Sequence, residues 1–215
     1  NSFTRVFSFE AEESDNVREL FDKHDIKIMD VDDSGNINFI VYGYMNRGKH
    51  EGEMGVSLCS YDSAENNVSE KLYIPVNVPF DELSKNVGEV AYISDRGVFY
   101  ILLDKNLYSV DLTSKEVMVE ISGINDQTYA VSEDGTALAY SLSGKLYDTD
   151  VIRIFNMKTG SDHQIRAEQG DRLRVLGYIR NDCIIGQAHK SDIIMDATGN
   201  ITFPMYMLRI YDNTY

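Results

Sequence analysis

The chain has 215 residues, with 35 acidic against 20 basic side chains, a net charge of −15 and 43% apolar content. That charge argues against a nucleic-acid partner, because counterion release from phosphates needs a basic face. No apolar run approaches the roughly 20 residues a membrane-spanning helix needs, and no secretory apolar core is present. The opening NSFTRVF, without methionine, predicts a processed chain or a piece of a longer one.

In chain order, residues 3–10 (FTRVFSFE) alternate as a lone strand. An acidic stretch follows, and Ser14 or Asp15 is placed to cap a short helix over 16–24 with Val17, Leu20 and Phe21 on one face. From residue 25 onward one pattern recurs four times: an apolar strand, a tight Asp/Gly turn, a second apolar strand, and a third ending in Asp or Asn. The turns read VDDSGNINF (31–39), ISDRGVFYI (93–101), VSEDGTALAY (131–140) and YIRNDCIIG (178–186), with Gly35, Gly97 and Gly135 in the first three and Asp182 in the fourth place. The strand-ending residues are Asp62, Asp111, Asn156 and Asp212.

A strand-only period near fifty residues predicts an all-β chain, a β-propeller or a fragment of one, with about four antiparallel blades. The blades are expected over 25–78, 86–124, 126–169 and 171–215 as one domain, with the strand 3–10 completing the last blade or the last blade left short. Cys59 and Cys183 each fall inside an apolar strand and read as buried thiols.

The third repeat, VSEDGTALAYSLSGKLYDTDVIRIFNMKTGSDHQI (131–165), resembles the blade consensus of TolB-like and prolyl-oligopeptidase-type propellers. The resemblance implies a fold, and a setting among envelope or extracellular proteins of bacterial type, lipoproteins included. It transfers no catalytic residue: no G-x-S-x-G elbow is present, and a chain without Trp cannot carry the WD dipeptide.

Two sets of residues bear on function. Asp30, Asp32, Ser34, Asn36 and Asn38 spell a spacing close to a calcium loop, although Val41 stands where the closing carboxylate belongs. Hairpin-turn chemistry accounts for the same residues. The second set lies in the connections between second and third strands, which are long at 44–55, 143–150 and 189–204 and short at 105–106. In a propeller these emerge on one face, where binding concentrates. That face would present Arg47, His50, Glu51, Tyr147, Asp148, Asp150, His189, Lys190 and Asp192, with Tyr44, Tyr147, Phe203 and Tyr206 as aromatic candidates for a glycan. The expectation is a non-enzymatic module recognising a protein, peptide or glycan. The alternative is a hydrolase or lyase using His50, His189 and Asp150. No cofactor other than calcium is expected.

Overall fold

The computed structural model describes residues 5–8 and 23–212. Four antiparallel sheets follow one another along the chain, each built from strands that pair in sequence order. The first contains β1 (His24–Val31), β2 (Ile37–Tyr44), β3 (Met54–Asp62) and β4 (Asn67–Pro75). A helix, α1 (Phe80–Glu89), leads to the second, with β5 (Ala91–Ile93), β6 (Val98–Leu103), β7 (Asn106–Asp111) and β8 (Val117–Ile121). The third contains β9 (Tyr129–Val131), β10 (Ala137–Ser141), β11 (Val151–Asn156) and β12 (Ser161–Arg166). The fourth has β13 (Asp171–Ile179) and β14 (Asp182–His189). The chain then forms a separate ribbon, β15 (Ile194–Met195) with β16 (Ile201–Thr202), before β17 (Met207–Tyr211) joins β14. This is an all-β fold of the propeller type, as the repeat predicts.

The repeat residues have local causes. In the first turn Asp32 Oδ1 accepts from the backbone N–H of Ser34 (2.8 Å) and of Asn36 (2.9 Å), and Gly35 takes φ +83°. Gly97 and Gly135 hold the same left-handed place in the turns after β5 and β9, at φ +72° and +71°. The strand-ending residues cap the next hairpin. Asp62 Oδ1 accepts from Ala64 and Glu65 N–H, Asp111 Oδ1 from Thr113 and Ser114 N–H, and Asn156 Oδ1 from Thr159 N–H. The fourth repeat differs: Asp182 opens β14, and the turn is Arg180-Asn181, with Arg180 itself at φ +56°.

The described residues contain one α-helix that the repeat does not predict. The segment expected to be helical, 16–24, lies outside the described residues apart from its last two, and His24 opens β1. The helix of the described residues is α1, in the stretch whose latter part, from residue 86, reads as a strand of the second repeat. Asp81 and Glu82 occupy its first turn, favourable at the positive end of the helix dipole, and Leu83 and Val87 are buried one turn apart.

The chain divides into two compact units. One comprises the residues up to Ala91 with Asp111–Glu116; the other comprises Tyr92–Val110 and the residues from Val117 onward. In the first, α1 lies against the β1–β2 face: Phe80 stacks on Tyr42 at 6.2 Å, and Lys27 Nζ donates to the C-terminal carbonyls of Val87 (2.9 Å) and Gly88 (3.1 Å). Val6 and Phe7 pack on a core of Phe39, Val41, Met45, Cys59 and Tyr61. Residues 5–8 therefore lie against the first sheet and form no strand.

In the second unit Tyr100 of the second sheet meets Phe155 of the third edge-to-face at 5.8 Å. Ala137, Ala139, Ile152 and Ile154 of the third sheet pack on Leu173, Val175, Cys183 and Ile185 of the fourth. Ile152 is fully buried there, so Ile152→Ala should cost about 2–5 kcal/mol in urea unfolding of this unit. Both cysteines are free and buried, and burial pushes the Cys183 thiol up to about 12.

Candidate functional site

Residues expected on the long-connection face occur in both units, and within each unit they form a cluster. In the second unit the connection after β10 and the one after β14 meet at one end of the fourth sheet. Asp171, the first residue of β13, is buried, and its carboxylate gathers three donors. His189 Nδ1 approaches Oδ1 at 2.8 Å, while the Tyr206 hydroxyl and Gln187 Nε2 each reach Oδ2 at 2.5 Å. These contacts, the Tyr206 hydroxyl foremost, hold the Asp171 carboxyl at about 2, well below the usual range. The Tyr206 hydroxyl is pushed up by the same contact. The His189 ring stacks on Tyr206 at 4.2 Å and 18°, with its side chain 53% exposed. Buried Asp171 thus orients a half-exposed pair of rings, with the imidazole's Nδ1 turned inward.

Around this pair lie other residues of the predicted face. Asp148 accepts from Arg172 Nε at 2.6 Å, stands 3.8 Å from Lys145 Nζ, and is held below the usual carboxylate range chiefly by Arg172. Tyr147 lies 5.9 Å from Phe203 and beneath the Arg174 guanidinium at 5.2 Å. Lys190 and Asp192 occupy a single 3-10 turn after β14, tied back by Lys190 N–H to the Gly170 carbonyl at 2.9 Å. Asp150 is exposed, and its carbonyl accepts from Ala167 N–H.

In the first unit Arg47, His50 and Glu51 belong to a turn between β2 and β3. The His50 ring lies flat on Tyr73 at 3.5 Å and 8°, with Nδ1 3.3 Å from Glu53 and Nε2 3.2 Å from Glu70. Glu70 also accepts from Ser57 Oγ at 2.9 Å. The Tyr73 ring lies over Gly55, where any Cβ would collide with it, and desolvation raises the Tyr73 hydroxyl to about 12. Within its own unit His50 thus has Glu53 and Glu70 as carboxylate partners, and His189 has Asp171.

The calcium-like residues are placed as a hairpin. Asp30 and Asn38 face each other across β1 and β2. Asp32 Oδ2 accepts from Asn36 Nδ2 at 2.9 Å, Asn36 Oδ1 accepts from Ser63 N–H at 2.9 Å, and the Ser34 carbonyl accepts from Ser63 Oγ at 2.7 Å. The β15–β16 turn repeats this construction: Asp196 Oδ1 accepts from Thr198 and Asn200 N–H, Oδ2 from Asn200 Nδ2, and Gly199 takes φ +87°. Its carboxyl is held at about 2, first by the Thr198 hydroxyl. Asp-x-Ser/Thr-Gly-Asn is thus one turn used twice. Among the described residues no group of three or more His, Cys, Asp or Glu is arranged to hold a metal ion.

Asp171, Gln187, Ser57 and Glu70 are absent from the sequence-derived set. No protein-family model and no curated protein sequence matches the chain. Among solved structures it is similar to an oligogalacturonate lyase from Vibrio parahaemolyticus, at 13% identity and TM-score 0.31 over 84% of this chain and 59% of that one. It is also similar to the WD40 domain of SCAP from fission yeast, at 7% identity and TM-score 0.25 over 89% and 67%. The chain spans 59% of the length of the lyase. At these identities and scores neither protein's activity transfers to it.

Proposed function

We propose that this propeller-type chain is a binding module that takes an extended peptide of a partner protein along β17, with the His189–Tyr206 pair reading the residues beyond the strand's end. The supporting observation is the edge itself. Among the described residues β17 is the outermost strand of the fourth sheet. Leu208 and Ile210 on β17 are 63% and 68% exposed. An unpaired strand edge with outward apolar side chains is the geometry of strand addition, in which backbone hydrogen bonds supply affinity and side-chain contacts supply selectivity. An extracellular or envelope setting, the expectation from the TolB-like third repeat, is checked by fractionating cells that make the chain.

A synthetic copy of residues 114–122 (SKEVMVEIS), which contains the outer strand of the second sheet, is a ready probe. It should bind saturably and slow amide hydrogen exchange in β17, and Ile210→Lys should abolish both effects. Binding without protection of β17 sinks the strand-addition reading. Oligosaccharides that perturb His189 and Tyr206 while such peptides do not would replace it with a glycan reading.

One observation favours a second reading, acid–base catalysis on the same face: buried Asp171 at Nδ1 leaves His189 Nε2 turned outward, the orientation of a general base. Bond cleavage by the purified chain that vanishes in His189→Gln would support it.

A further inference from the structure

The first unit contains a cavity of about 200 Å³. Its walls are the apolar side chains of Phe7, Val41, Met45 and Val68, with Cys59 beside them. Its polar end is formed by Ser57, Glu70 and His50, and Arg47 and Lys49 stand at the same turn. Strand pairing explains the arrangement. Ser57 and Cys59 are two residues apart on β3 and share a face; Val41 is opposite Ser57 on β2, and Glu70 is opposite Cys59 on β4. One sheet face therefore carries a hydroxyl and a carboxylate directly beside aliphatic side chains.

The charges have a particular layout. Glu70 is fixed by the buried Ser57 hydroxyl at 2.9 Å and by His50 at 3.2 Å, yet its side chain remains one-third exposed. Lys49 Nζ approaches it only to 3.8 Å, beyond hydrogen-bond length, and is 80% exposed. A fixed anion and an adjacent, loosely held cation thus stand at the end of an apolar cavity. A ligand with one charge would meet one of them with the wrong sign; a ligand with both charges close together matches each. The volume suits a small molecule and is below that of drug-sized sites.

We propose that this cavity binds a free α-amino acid with an apolar side chain. Its ammonium lies at Glu70, its carboxylate at Lys49, and its side chain among Val41, Met45, Val68 and Phe7. This site is independent of the strand edge of the fourth sheet and stands or falls separately from it.

Calorimetry of the intact chain with leucine, 4-methylpentanoate and isoamylamine tests it, because the two analogues each lack one of leucine's charged groups. Leucine should saturate a single site, with both analogues at least about tenfold weaker. Glu70→Gln should weaken leucine by about tenfold while strengthening 4-methylpentanoate, whose carboxylate no longer faces a like charge. Val68→Phe, which fills the cavity, should abolish binding. Lys49→Ala, at an exposed position, should weaken leucine severalfold and strengthen isoamylamine, whose ammonium no longer faces a like charge. A single-charge analogue binding as tightly as leucine, leucine binding that survives a folded Val68→Phe chain, or no heat from any of the three up to millimolar concentration would each overturn the assignment.

Discussion

Gly43→Ala is expected to destabilise the first unit by at least about 3 kcal/mol, the combined effect of a backbone clash and a disfavoured dihedral. Gly43 sits near the end of β2, opposite His24 on β1 and Gly55 on β3. Its φ is +109°, outside what a side-chain-bearing residue adopts without strain. A Cβ there would press on the Lys23 carbonyl and stand 2.7 Å from His24 Cα, both backbone atoms that cannot rotate away. Two other glycines separate the causes. Gly97 has φ +72° with nothing within 4 Å of its Cβ position, so Gly97→Ala should cost only about 1–2 kcal/mol, the left-handed penalty alone. Gly186 would meet the Met205 side chain, whose thioether can swing aside, so Gly186→Ala should cost less than Gly43→Ala. Urea midpoints of the three variants give the comparison. Equal losses at Gly43 and Gly97 would remove the clash from the account.

Asp171→Asn should produce the largest pH-linked loss of stability in the second unit. The carboxylate accepts from Tyr206, Gln187 and His189, and an amide in its place turns one of its two acceptor atoms into a donor facing donors. The folded pKa of about 2 lies below the unfolded value of about 3.9. Folding then favours the ionised form, so the stabilisation is complete above about pH 4 and is lost as the pH falls through about 2. Asp196, also held at about 2, adds a loss in the same window. Urea midpoints measured from pH 7 to pH 2 should show a gap between the wild-type chain and Asp171→Asn that is constant down to about pH 4 and narrows below it. A gap independent of pH would mean that the packing of Asp171, and not its charge, supports the unit.

What the sequence reveals depends on how local the cause is. The turn glycines and the strand-ending Asp62, Asp111 and Asn156 act within five residues of themselves, and they mark the strand order correctly. α1 escapes because Val87, Val90 and the apolar run after it alternate well enough to pass for a strand. The opposing signal was local too: Pro79 just before the helix, acids at 81 and 82, and Leu83 four residues before Val87. β15 and β16 read as a plain insertion, although Asp196-Ala197-Thr198-Gly199-Asn200 repeats the turn chemistry of Asp32–Asn36. The fourth-sheet cluster was half legible. His189 and Tyr206 stand out by residue type and loop position, whereas Asp171 and Gln187 reveal themselves only by phase. Asp171 alternates with Leu173 and Val175, and Gln187 with Cys183 and Ile185, so each is a polar residue on the buried side of its strand. The cavity of the first unit was not legible, since Ser57, Glu70 and Val68 come together only through the pairing of β3 with β4.

The pairing order also bears on how the chain acquires its structure. In each of the first three sheets every strand pairs with the one just made, across connections of at most nine residues, so those ladders form without bringing distant segments together. β17 is the exception: it reaches β14 only after the whole excursion containing β15 and β16. Closing that longer loop carries a greater entropic cost. β17 is therefore expected to be the last strand of the fourth sheet to dock and the first to detach. Its amides should exchange through a local opening of lower free energy than those of β13 and β14.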